Sequence, residues 1–434
     1  MRYFYTFLIP LFIYSCSSDK DKKVDLDVFK RQGEKINVFE ANNIFDQEII
    51  SKSTLQLNAP QLNKDWVYEH FSSNNYYENL VYEGKFEDIF RKSIGDYINK
   101  KNNNGSLVVI SDFAYFSDEK GTIYKFEIKN QKIIWELKIY ERSLNNFPKN
   151  ISLFFNSNIL YAADNLGIIY SIDTETGNII WRQNYGIPFS SHLNFYKGIL
   201  YVVNQNSRLY AFNSIDGEKI WSFESLSGLI KPSRSSNISI FDNKLLFTND
   251  IGDITAIDLS QQIIIWTRNI SSQNNIISNN LVFKSSNILV DKRDVFISSN
   301  NGDLFNFDIE TGEAKWSKKL LSINNHITTD KYLFVLTDNG FVVALNKTNG
   351  TILWSTNLSK FSNENKSIPS FHGLLLGSNN LYATSSQGDI YKISANDGKY
   401  ISHKKINSNL SRAPIIVDNK IFILNRSSEL IILN

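Results

Sequence analysis

The chain has 434 residues, a formal net charge of +2, 42% apolar residues and 21% charged ones. The apolar fraction supports a sizeable core, the charged fraction excludes a membrane-embedded chain, and the near-neutral balance leaves no electrostatic footprint for nucleic acid. A single cysteine, Cys16, excludes an internal disulfide, a cysteine-built metal cluster and a CxxC redox pair.

Met1-Arg2 is followed by an apolar, aromatic run from Tyr3 to Tyr14 and then by Ser15-Cys16. The run is shorter than the ~20 residues a bilayer span requires. It resembles a bacterial lipoprotein signal, with an ordinary cleaved signal and a chance cysteine as the alternative. The resemblance implies that residues 1–15 are removed and that Cys16 becomes the acylated (palmitate-bearing) first residue of the mature chain. Several acyl chains on one residue anchor stably where a single chain is marginal. Ser17 follows Cys16 where an aspartate would signal inner-membrane retention. That implies the outer membrane, with the folded part facing the periplasm and the lipid as the only membrane contact. Residues 16–60 carry no repeat and begin with the polar run Ser18-Asp19-Lys20-Asp21-Lys22-Lys23, so they are expected to form a flexible tether.

The rest, 61–434, is expected to be one repeat domain. Trp66 comes first. About forty residues then precede the first clear strand, Leu107 to Ile110. Within 83–101, Phe86, Ile89, Phe90, Ile94, Tyr97 and Ile98 fall at helical spacing with charged residues between them. The pattern predicts an amphipathic helix over 86–98, packed as a lid on the rim or docking a partner.

From Gly121 onward one frame recurs: an opening glycine or serine, an apolar strand, Asp or Asn, a turn glycine, then tryptophan. Gly121 leads to Trp135, Gly167 to Trp181, Ser207 to Trp221, Gly252 to Trp266, Gly302 to Trp316 and Gly340 to Trp354, fourteen residues each time. A seventh copy opens at Gly388 with Ser402 where tryptophan is due, and an eighth opens at Ser428. Copies begin 38 to 50 residues apart, the period of a four-stranded propeller blade. Such units cannot bury their own apolar faces and must stack. The sequence therefore predicts an all-β, eight-bladed propeller with four-stranded antiparallel blades, seven blades being the alternative. The last copy lacks an outer strand, and the N-terminal strand near Trp66 is expected to supply it and close the ring.

Residues that recur in every blade serve the blade, so Trp66, Trp135, Trp181, Trp221, Trp266, Trp316 and Trp354 are read as structural. Gly177, Gly217, Gly312, Gly350 and Gly398 are expected to hold the positive φ of a short hairpin. The five histidines lie in different segments with no metal-ligand spacing, and no nucleophile elbow or phosphate loop appears. No catalytic residue, cofactor or metal ligand is assigned.

The frame Gly-x-Ile-Tyr-x-Ile-Asp-x-x-Thr-Gly-x-x-x-Trp resembles the repeat of pyrroloquinoline-quinone-type propellers over roughly 60–434. Within that group the chain is most similar to BamB-type lipoproteins of the outer-membrane β-barrel assembly machinery. This resemblance implies a non-enzymatic scaffold that binds the barrel-forming assembly protein and receives unfolded barrel chains. In the family a Leu/Arg-bearing loop contacts the partner. The matching stretch here is Ser227 to Arg234, with Leu229, Ile230 and Arg234 as counterparts. An Asp-x-Asp found in the family's next inter-blade loop is replaced by Leu281-Val282-Phe283-Lys284. The alternatives are a quinone-dependent dehydrogenase-like propeller and a periplasmic glycan-binding propeller, the latter through exposed aromatics such as Phe71, Tyr76 and Tyr77.

Overall fold

The computed structural model describes residues 45–98, 105–141, 144, 146–231, 236–271, 282–362, 369–406 and 409–434. The signal at 1–15, Cys16, and the 16–44 part of the expected tether lie outside the described residues, as does Arg234.

Eight antiparallel sheets follow one another as blades 1 to 8 of a propeller. Their inner strands are Leu107–Ile110, Ile151–Asn156, Asn194–Tyr196, Ile238–Phe241, Leu289–Asp291, Ile327–Thr328, Phe371–Gly377 and Ile415–Val417. Each blade then steps outward through three more strands, in blade 2 Ile159–Asp164, Ile168–Asp173 and Ile179–Asn184. The core lies between blades. Ile123, Ile169, Leu209, Ile254, Leu304, Val342, Ile390 and Leu430, one frame position in eight copies, are all fully buried. Each contributes about 1.5–3 kcal/mol relative to exposure.

The tryptophans act between blades. The indole Nε1–H donates across to a carbonyl of the next blade: Trp135 to Thr174 at 3.0 Å, Trp181 to Ser214 at 3.1 Å, Trp266 to Ile309 at 2.8 Å and Trp316 to Lys347 at 2.9 Å. The aspartates after the third strand cap the turns. Asp173 Oδ1, for instance, accepts from the backbone N–H of Glu175 and Thr176.

Trp66 behaves differently. Asp65–Trp66 pairs with Leu107–Ile110 as a fifth, innermost strand of blade 1, and the indole packs on Phe71 and Tyr77. It is not a blade tryptophan, and its strand does not close the ring. The closing strand is Asp88–Ser93, which pairs antiparallel with Glu429–Leu433 of blade 8. This is the segment whose periodicity predicts a helix. Phe86, at φ 61°, holds a conformation that an α-helix cannot contain. The open edge of Glu429–Leu433 offers a full ladder of hydrogen-bonding groups, and that tertiary pairing overrides the local pattern. Across the ladder Phe90 faces Ile432 after a bulge, as Trp181 faces Ser171 in blade 2. Phe90 thus stands where blade 8 needs its tryptophan, 4.9 Å centroid to centroid from Phe126 of blade 1.

The segment 45–60, expected as tether, packs on blades 6 and 7. Ile49 exchanges backbone hydrogen bonds with Ser355 on the outer strand Ile352–Asn357 (3.3 and 2.9 Å), and Leu55 is buried, its N–H donating to Asn396.

Candidate functional site

Residues 63–80 make one circuit of the channel, taking the blades in order. The Asn63 carbonyl accepts from Asp418 N of blade 8 at 2.7 Å. Asp65–Trp66 pairs with blade 1, and the Val67 carbonyl accepts from Phe155 N of blade 2 at 3.0 Å. The Ser73 carbonyl accepts from Asn194 Nδ2 of blade 3 (2.7 Å) and from Ile240 N of blade 4 (2.8 Å). The Asn74 carbonyl accepts from Val290 N of blade 5 at 3.0 Å, Tyr76 packs on the cluster around Leu333 of blade 6, and Leu80 bonds Leu376 and Ser378 of blade 7. Most of these contacts, those to Val109, Ile110, Phe155, Ile240, Leu376 and Asp418 among them, fall toward the C-terminal ends of the inner strands. The circuit therefore floors that mouth, and it satisfies inner-edge backbone groups that would otherwise stay unpaired.

Above the floor lies a chamber of about 540 Å³. Its lining includes the apolar Phe371, Leu374, Leu375, Ile415 and Ile423 and the polar Glu69, His70, His192, Asn325, His326 and Arg412. Phe71, Tyr76 and Tyr77 are spent on the floor. Phe71 and Tyr77 pack on Trp66, and Tyr76 donates to Glu78 Oε1 at 3.0 Å.

The floor's tight turn raises Glu69 and His70 into the chamber, with Phe71 at φ 76°. His70 Nε2 lies 2.7 Å from His192 Nε2, and His192 Nδ1 lies 2.9 Å from Glu69 Oε2. The Arg412 guanidinium donates to Glu69 Oε1, and the Asn325 side-chain amide meets His70 Nδ1 at 3.1 Å. The Glu69 carboxylate is nearly fully buried, its side chain 2% exposed. An ionised carboxylate only accepts, so beside an ionised Glu69 the His192 Nδ1–H donates, and the neutral ring then has its lone pair at Nε2, toward His70. Sequence reading missed this cluster because the two histidines are 122 residues apart and share no local spacing.

His326 is fully buried in the chamber wall. The Ser298 hydroxyl donates to the Ser322 carbonyl at 2.6 Å, so His326 Nε2–H donates to Ser298 Oγ at 2.8 Å. Nδ1 has no partner among the described residues. Burial holds this imidazole down to about 3, and burial, with Arg426 nearby, holds His372 down to about 4. Both folded values lie below the unfolded ~6.5. Their stabilisation is therefore full above pH 6.5 and is lost as pH falls toward those values. From pH 7 to 5, His326 alone is expected to cost about 2 kcal/mol. Urea midpoints of wild type and His326→Gln at the two pH values check this, and the variant is expected to show the shallower pH dependence.

On the outside, the loop after Lys219–Glu224 of blade 3 presents Leu226 and Leu229 exposed, Leu229 completely, with Ile230 beside them. Its base is pinned: Asp250, its side chain 1% exposed, accepts from Ser227 Oγ (3.1 Å) and Gly228 N (3.0 Å) and pairs with Lys231 (3.3 Å). The loop displays a leucine on a fixed stem. Exposed isoleucines also mark the outer strands of successive blades: Ile133 and Ile134, Ile179 and Ile180, Ile220, Ile263 and Ile264. No helix among the described residues is long and apolar enough to cross a membrane.

A family model described as the outer membrane protein assembly factor BamB matches residues 119–356 and 338–434. The outer membrane protein assembly factor BamB of Yersinia pestis is 22% identical over 234 residues, covering 53% of this chain and 57% of that one. That of Escherichia coli K12 is 26% identical over 180 residues, covering 40% and 43%. The chain thus spans about half the length of the curated relatives it matches. The crystal structure of BamB from Moraxella catarrhalis superposes with a TM-score of 0.67 at 14% identity, covering 80% of this chain and 99% of that one. A quinohemoprotein alcohol dehydrogenase from Comamonas testosteroni gives 0.64 at 12%, covering 85% and 80%. The last two likenesses are of fold.

Proposed function

The chain belongs to the family of the outer membrane protein assembly factor BamB, and from that premise we propose that it is a non-enzymatic scaffold lipoprotein of outer-membrane β-barrel assembly. It is anchored through acylated Cys16 and faces the periplasm. It docks on the barrel-forming assembly protein through Leu229, Ile230 and Arg234. The observation that carries the docking site is the fully exposed Leu229 on a stem fixed by buried Asp250. An exposed apolar side chain on a rigid stem costs little ordering entropy on binding, as interface anchors require.

Unfolded barrel chains add as extended strands to the outer edges of blades 1 to 4, where the exposed isoleucines offer apolar contact. The chain's own residue Ile49, paired to the outer strand of blade 6, is an example of the same addition.

The test is a pull-down of the full lipoprotein from its native envelope after crosslinking, beside a Leu229→Asp/Arg234→Glu variant. An outer-membrane barrel protein is expected in the wild-type eluate and at least tenfold less of it with the variant. Equal recovery overturns the docking site. Recovery of no barrel protein by the wild type overturns the role.

A further inference from the structure

We propose that His70 and His192 bind one first-row transition-metal dication of zinc-like character through their Nε2 atoms, with Glu69 and Asn325 as positioning residues. This site lies inside the chamber and goes beyond the scaffold role, which does not depend on it.

Two imidazole nitrogens converge at 2.7 Å, and each ring is held from behind at its other nitrogen. The Glu69 carboxylate takes the Nδ1–H of His192, the arrangement that fixes tautomer and raises ligand basicity in histidine metal sites. Arg412 holds that carboxylate in place and neutralises it. Without an ion, His70 donates from Nε2 to His192, and the Asn325 amide N–H donates to His70 Nδ1. With an ion, the His70 proton moves to Nδ1 and Asn325 turns its amide so that its carbonyl oxygen accepts. Both layouts keep the outer nitrogen of each ring hydrogen-bonded, and no net proton is released.

Nitrogen distances of ~2.0–2.1 Å place tetrahedral ligands roughly 3.3 Å apart, so the rings need part by only about half an ångström. Imidazole donors select zinc, copper or nickel over calcium and magnesium. The remaining positions face the chamber, open to water or to a carboxylate or carbonyl entering from above. The ion would tie the floor, through His70, to blade 3, through His192.

The experiment uses the whole chain, purified with a tag free of histidine and stripped of metal. Equilibrium dialysis against zinc is expected to give one equivalent with micromolar affinity. The folded variants His70→Gln and His192→Gln are expected to lose at least a hundredfold in affinity, and Glu69→Gln about 10–100-fold. Excess calcium is expected not to displace the zinc. A second readout needs no variant: zinc is expected to protect His70 and His192 of the wild type from acylation by diethyl pyrocarbonate, mapped by mass spectrometry. The proposal is overturned by wild type that binds no stoichiometric zinc, by undiminished binding in the histidine variants, by displacement with calcium, or by protection of other histidines instead.

Discussion

Replacing Gly217 with alanine is expected to lower the unfolding free energy by about 3 kcal/mol. Gly217 turns the hairpin of blade 3 at φ 73°, and an added Cβ meets Trp181 of blade 2 at 2.5 Å and Gln183 at 2.9 Å. Two costs therefore combine. A left-handed alanine costs roughly 1–2 kcal/mol, and driving a methyl into a packed indole costs about 1–3 kcal/mol. Two controls separate them. Gly198 has φ 79° but open space around it, so Gly198→Ala is expected to show the backbone strain alone. In blade 1 the same turn position is Gln131, already at φ 53°, and Gln131→Gly is expected to stay within about 1 kcal/mol of wild type. Urea midpoints and slopes for the three variants decide it. Equal losses at Gly217 and Gly198 would show that the tryptophan does not press on the turn.

The second large effect lies at the closure. Phe90→Asp is expected to cost about 3 kcal/mol, from the lost ring and from a carboxylate left against Phe126. The charge loosens Asp88–Ser93 from Glu429–Leu433 and exposes a strand edge, so faster proteolysis near residue 90 and concentration-dependent aggregation should accompany it. Phe90→Trp, which restores the frame residue, should be tolerated. A Phe90→Asp chain as stable and protease-resistant as wild type would mean that the ring is held elsewhere.

What was legible in the sequence is what repeats. The fourteen-residue frame specified the blades, their apolar strands, the positive-φ turn glycines and the structural tryptophans. Each copy confirms the others, and nearest-neighbour packing makes the same demand of every blade. What does not repeat stayed hidden. The circuit at 63–80 passes each blade in turn, through different groups, and carries no period. Trp66 looks like a frame residue, but the backbone around it runs inside blade 1. Phe90 was concealed because Phe86, Ile89, Phe90 and Ile94 mimic a helical face, while the edge they serve lies more than 300 residues away. A second staple also went unread. In seven of the eight copies the side chain three residues before the opener accepts from the N–H just after it, as Asp118 does from Thr122 and Asn204 from Arg208; Ser299 instead accepts from Asn301 N. Its chemistry is constant while its residue type varies among Asp, Asn, Thr and Ser. The histidine pair was invisible for the same reason as the closure: only the folded ring brings His70 to His192. The Leu229 loop was legible only through family resemblance, and Arg234 lies outside the described residues.

The proposed scaffold role turns on whether the loop at Leu229 meets the barrel-forming assembly protein. A photo-crosslinking amino acid placed at position 229 of the full chain, with one at Ile401 on blade 7 as control, reports the neighbour of each in intact envelopes. The scaffold reading predicts an adduct with the barrel-forming assembly protein from position 229 and none from 401. No adduct from 229, or the same adduct from both positions, would contradict it.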